Sequence, residues 1–152
     1  MPKIDAANVK TESGTNYPEP YSRAVEGRSR QRLGNAAGLD QFGVNLTRLK
    51  PGAWSAQRHW HDNEDEFVLM LEGEAVLVED EGETLLKPGD AAGFKAGVAN
   101  GHCLINRSAG DAVYLEIGTR AKNGRAEYPD IDLKVEWKDR AARYTHKSGD
   151  AY

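Results

Sequence analysis

No stretch of this chain carries a helix-length pattern; it carries short apolar runs closed by polar or glycine-containing turns. Val44, Leu46 and Leu49 open the run of strands. Residues 75–78, Ala-Val-Leu-Val, form one, residues 79–83 its polar tip, and residues 84–86 the return. Pro51-Gly52 and Lys87-Pro88-Gly89-Asp90 are turn signals, with glycine free to take a positive φ. Residues 66–71 are apolar or aromatic on both faces after Glu66, which predicts burial on both sides. Residues 113–117 form a late strand, and residues 131–138 alternate most cleanly: Ile131, Leu133, Val135 and Trp137 are expected to face the protein. Residues 139–143 allow at most a short helical turn. A chain so punctuated is expected to be all-β, and sixteen glycines suit short strands and tight turns.

At 152 residues one domain with a real core is expected. It divides into an N-terminal arm over residues 1–35, a core over 36–120, and a C-terminal strand and tail over 121–152 that completes the same domain. The arm rests on the turn-forming stretch Ser13-Gly14-Thr15-Asn16-Tyr17-Pro18-Glu19-Pro20 and is expected to wrap the core or a neighbouring subunit. A formal charge of −4 gives no basic face for nucleic acid. No apolar run approaches the ~20 residues of a membrane span, and the first five residues show no apolar leader. One cysteine excludes an internal disulfide, which makes the cytoplasm the expected compartment. Cys103 is read as a small buried hydrophobe.

His59 and His61 lead into Glu66 and are answered by His102. Imidazole and carboxylate hold transition metals. In a strand, residues two apart share a face, so His59 and His61 point together while Trp60 takes the other side. Glu66, Val68 and Met70 share a face in the next strand, and a hairpin-like reversal at Asp62-Asn63-Glu64-Asp65 is expected to set Glu66 beside the histidines. His102 begins another short strand. Three imidazoles and one carboxylate suit Fe, Mn, Ni, Co or Zn and can leave positions open; a structural zinc would more often use thiolates.

The spacing resembles the cupin family. Gly52, six residues, His59-Trp60-His61, four residues, Glu66, six residues, Gly73 is similar to its first motif. Gly89, five residues, Lys95-Ala96-Gly97, four residues, His102, three residues, Asn106 resembles the second. Lys95 stands where the family has proline, and two extra residues precede His102. An ungapped reading puts Asn100 in the ligand slot; the register of Asn106 and the better ligand chemistry favour His102. The Asn100-Gly101-His102 variant looks like one found in a group of small bacterial cupins. The resemblance implies an antiparallel double-stranded β-helix, a jelly-roll barrel of six or more strands. It also implies one divalent transition metal per chain on His59, His61, Glu66 and His102, a small-molecule substrate or ligand, and a homodimer.

Cupins run many reactions, so fold alone selects none. The first reading is a metal-dependent enzyme of dioxygenase or isomerase/epimerase type on a small oxygenated molecule, with Glu66 moving a proton. The second is a non-catalytic module that senses a small molecule or metal; the chain has no pattern for a DNA-binding helical domain. Candidate pocket residues are Arg58, Met70, Lys95 and Asn100, with Tyr114 as a further one. Arg58 and Lys95 are the only cations beside the motifs, which argues against sugar-phosphate isomerisation. Asp62, Glu64 and Asp65 read as a solvated turn, one of which can orient a histidine through its second nitrogen. Trp54 and Trp60 read as packing residues, and His146 as part of a polar tail.

Overall fold

A computed structural model describes residues 3–152, so Met1 and Pro2 of the expected arm lie outside the described residues. In chain order the strands are β1 Thr11–Ser13, β2 Arg28–Arg32, β3 Phe42–Leu49, β4 Trp60–His61, β5 Glu66–Glu72, β6 Ala75–Glu79 and β7 Gly82–Leu86. They continue as β8 Ala91–Phe94, β9 Cys103–Ile105, β10 Ala112–Thr119, β11 Gly124–Glu127, β12 Lys134–Lys138 and β13 Ala141–Thr145. Three antiparallel sheets result, ordered β1-β2-β3-β10-β5-β8, β13-β12-β11-β4 and β7-β6-β9. They form the antiparallel double-stranded β-helix of a single domain. Helix is confined to short turns, among them Tyr21–Val25 and Leu33–Ala36. No helix among the described residues is long and apolar enough to cross a membrane.

Local chemistry explains the tight corners. Gly73 joins β5 to β6 at φ +67°, and a Cβ there would overlap the Asp111 carbonyl. The apolar end of the barrel packs Leu49, Met70, Leu77, Leu86, Leu104 and Tyr114. A second cluster, Ala126, Tyr128, Leu133 and Val135, gathers Tyr17, Trp137 and Tyr144 around it. Val135 and Trp137 turn inward from β12 and Glu136 outward, as the alternation predicts. The segment read as an arm contributes β1 and β2 to the large sheet, where β2 pairs along β3 from Arg28↔Leu49 to Arg32↔Asn45.

Three local expectations differ from the structure. β5 is buried on one face only: Val68 and Met70 are inside, whereas Phe67 and Leu71 are each 42% exposed on the outer surface. No second layer covers that side of the sheet within one chain.

The segment 62–65 is a crossing between sheets and makes no hairpin, for β4 pairs with β11 while β5 lies between β10 and β8. Its polar groups find backbone partners on another segment. The Asp62 N–H donates to the Arg125 carbonyl at 3.1 Å, and the Arg125 N–H to Asp62 Oδ1 at 2.9 Å. The Thr119 N–H donates to the Asp65 carbonyl at 3.0 Å, and the Asp65 N–H to Thr119 Oγ1 at 2.8 Å.

Residues 139–143 form a two-residue hairpin turn and the start of β13, with φ +49° at Asp139 and +66° at Arg140. Pairing from Lys138↔Ala141 to Lys134↔Thr145 overrides the weak helical preference of Ala-Ala-Arg.

Candidate metal centre and its cavity

His59 and His102 face each other as an antiparallel bridge: the His102 N–H donates to the His59 carbonyl at 2.9 Å, and the His59 N–H to the His102 carbonyl at 3.2 Å. Opposed residues share a face, so both imidazoles enter the barrel together. His61 joins them by strand alternation, fixed where it pairs with Ala126. Glu66, at the start of β5, comes from the opposite sheet. The four side chains converge. His59 Nε2 and His61 Nε2 are 3.1 Å apart, and Glu66 Oε2 lies 3.6 Å, 3.5 Å and 2.8 Å from the Nε2 atoms of His59, His61 and His102. His59, His61 and Glu66 can hold a metal ion between them.

The surroundings fit a metal. The His59 Nδ1–H donates to the Gln57 carbonyl at 2.8 Å, which leaves the Nε2 lone pair aimed into the cluster. Glu64 Oε2 stands 3.3 Å from His61 Nδ1, close enough for ionic attraction but not aligned as a hydrogen bond, while its Oε1 accepts the Ala121 N–H at 2.8 Å. Phe94, across from Glu66 in β8, stacks flat on His102 with ring centroids 3.6 Å apart. Burial opposes charge on Glu66, but the hydrogen bond from His102 and the neighbouring His59 and His61 outweigh it and hold the carboxyl well below its usual range. At His61 burial is outweighed by Glu64 and Glu66, so its pKa rises; at His102 burial wins and its pKa falls.

The cluster opens on a cavity of about 1020 Å³. Sequence reasoning misplaces its polar lining. Arg58 stands outside, held by Asp130 at 2.7 Å, by Asp80, and by the Gly101 carbonyl at 3.2 Å. Met70 is 1% exposed within the apolar core. Lys95 sits on an exposed turn. Asn100 binds outside too, donating to Glu79 at 3.1 Å and accepting the Asp80 N–H at 3.0 Å. Cys103 is buried, which pushes its thiol up to about 12. His146 pairs at the surface with Asp132 at 2.7 Å.

Six cationic side chains line the cavity against four carboxylates, which removes the sequence argument against a phosphorylated substrate. Arg28, Arg30 and Arg32 project inward from β2, and Arg120 and Arg140 stand nearby. The signal was present in the sequence: arginines at i, i+2 and i+4 mark one face of a strand. Tyr17, Tyr128 and Tyr144 add hydroxyls, and Trp137 lies edge-on to His61 at 5.7 Å.

An all-β barrel with a metal-competent cluster inside defines the class of protein. The chain belongs to the cupin superfamily: residues 45–118 match the Cupin domain. It is also 45% identical to the sugar phosphate isomerase from a cupin superfamily of Silicibacter pomeroyi, covering 99% of this chain and 96% of that one at a TM-score of 0.96. A candidate sugar phosphate isomerase from Acidithiobacillus ferrooxidans is 27% identical over 82% of this chain and 80% of that one, at a TM-score of 0.75. A polyketide cyclase from Streptomyces resistomycificus shares the fold at 20% identity and a TM-score of 0.64, over 78% of this chain and 79% of that one. No curated protein matches the chain.

Proposed function

We propose that this cupin is a divalent-metal-dependent isomerase acting on a small phosphorylated sugar. The observation that carries the proposal is the cationic wall facing the His–Glu cluster inside one cavity. The names of two relatives, 45% and 27% identical to it, agree with it. In this reading His59, His61, Glu66 and His102 hold one transition metal ion per chain, drawn from Fe, Mn, Ni, Co or Zn. When bound there, such an ion would supply Lewis acidity to a substrate carbonyl.

The remaining work falls to the protein. Glu66, whose Oε2 faces all three imidazoles, would leave the ion to move a proton between adjacent substrate carbons. Glu64 is engaged with His61 and the Ala121 N–H, so it orients and does not shuttle. Phe94 and Trp137 wall the cluster with apolar surface and limit water there. The exposed apolar residues on the outer sheet face, Phe42, Phe67 and Leu71, are where a homodimer would pack; sedimentation of a Phe67→Glu variant as monomers is the expected result.

The deciding experiment is elemental analysis of untagged protein followed by an anaerobic screen of aldose and ketose phosphates, with and without chelator. Metal-dependent interconversion without oxygen is the expected outcome. Bound iron with substrate-dependent oxygen uptake would replace the isomerase with a dioxygenase. Ligand binding without turnover would leave a sensing module.

A further inference from the structure

The inner face of β2, β3 and β10 carries polar atoms that the fold itself leaves without partners. Arg30, Thr47 and Tyr114 form one cross-strand row, and Arg32, Asn45 and Glu116 form the next. Among the described residues five buried side-chain atoms lack a hydrogen bond; Arg30 Nε, Asn45 Oδ1 and the Tyr114 hydroxyl stand here, and the Nδ1 atoms of His61 and His102 stand in the metal-competent cluster. Tyr114 is fully buried; Thr47 is beside it, but its hydroxyl is directed at Glu116 Oε2, 3.4 Å away. Arg28 is 8% exposed and has no carboxylate partner, its guanidinium donating to the carbonyls of Ser55 at 2.5 Å and Gly14 at 3.2 Å. Glu116 Oε2, 3.3 Å from Arg30, is the one carboxylate set against this arginine pair among the described residues.

Buried donors left unsatisfied are costly, and a guanidinium without a counter-ion more so. Such groups are tolerated where a ligand completes them, and the paired N–H fork of arginine matches an oxyanion. Arg28, Arg30, Tyr114 and Glu116 line the same cavity as the metal-competent cluster.

We propose that Arg28, Arg30 and Tyr114 form an anion subsite that takes the phosphoryl group of the substrate, while its carbonyl end lies at His59, His61 and Glu66. The identity of the anion rests on the isomerase reading; the existence of the subsite does not.

Titration with inorganic phosphate, followed by calorimetry, separates the two. Phosphate should bind the native protein and the His59→Ala/His61→Ala variant equally, and bind Arg30→Gln at least tenfold more weakly. Tyr114→Phe, which preserves packing and keeps the test available if Arg30→Gln fails to fold, should weaken it about threefold. Arg107→Gln, on the outer surface with Glu83 and away from the cavity, should leave it unchanged. Acetate should bind at least tenfold more weakly than phosphate; equal binding would overturn the phosphoryl assignment. Three results would overturn the subsite itself: no phosphate binding by native protein, binding lost with the two histidines, or binding indifferent to Arg30 and Tyr114. A subsite that passes in a protein without isomerase activity would refute the reaction alone.

Discussion

The two ends of the cavity handle buried polarity differently. At the metal-competent corner the groups lean on one another: Gln57 fixes His59, Glu64 faces His61, and Glu66 Oε2 reaches His102 at 2.8 Å, with only the Nδ1 atoms of His61 and His102 left without a hydrogen bond. On the β2–β3–β10 wall Arg30, Asn45 and Tyr114 keep atoms that nothing among the described residues satisfies. Mutual support lets the corner stay organised before an ion arrives, which preorganises a binding site. Orphaned polar atoms on the wall instead store a cost that a ligand relieves. The same contrast shows in sequence: three of the corner's four residues come from one short motif, His59 to Glu66, and the wall from strands spread between Arg28 and Thr119.

The sharpest way to break this comparison is the His59→Ala/His61→Ala variant, which should fall from about one metal ion per chain to background by elemental analysis with the barrel's circular dichroism retained. Metal retained in the variant would dissolve the corner as a site. Asn100→Ala should keep its metal and His102→Ala should lose it, because Asn100 is engaged with Glu79 and Asp80 outside the barrel.

Chelation ranks next. A ligand at a thousand times its Kd stabilises a fold by about 4 kcal/mol, so removing the ion should lower Tm by roughly 10 °C in a thermal melt. An unchanged melt would mean that the corner binds no metal tightly.

Glu64→Gln should weaken metal affinity by about 10–100-fold, the usual effect of losing a group that orients a liganding histidine, as read by competition with a chelator. No change would make Glu64 a solvated turn residue.

On the wall the sign reverses. Tyr114→Phe deletes a buried, unpartnered hydroxyl and should raise stability by about 1 kcal/mol in urea denaturation. A loss of stability would show that the hydroxyl is satisfied in solution and weaken the contrast.

The smallest effect concerns acid. Glu66 is held well below its ordinary value of 4.5, so the unfolded chain takes up a proton there before the folded one does. Its contribution to the metal-free protein is therefore complete above about pH 4.5 and is lost as pH falls towards the folded value. The stability gap between native protein and Glu66→Gln should shrink over that window.

How far the sequence could be read depended on the range of the cause. Strand alternation placed His59 with His61, and Glu66 with Val68 and Met70, because a two-residue period needs no partner. The same logic applied to Arg28, Arg30 and Arg32 would have found the cationic wall, although that segment was read as an arm. It could not show that β2 joins the large sheet, since pairing with β3 is decided across an intervening turn and helix. Arg58 and Lys95 misled because closeness in sequence to a motif says nothing about which side of the barrel a residue takes. Asp130 and Asp80, far along the chain from each other, hold Arg58 outside.

By itself the sequence determined the strand-and-turn grammar, the cupin resemblance and the donor types of the metal corner, all of which follow from short-range backbone geometry and side-chain chemistry. Only the tertiary structure decided that His59 and Glu66 meet from different sheets, that the outer face of β5 lies open, and that the cavity is cationic although the chain is acidic. Those features depend on which distant strands pair, and pairing is chosen by packing and hydrogen bonding over the whole barrel.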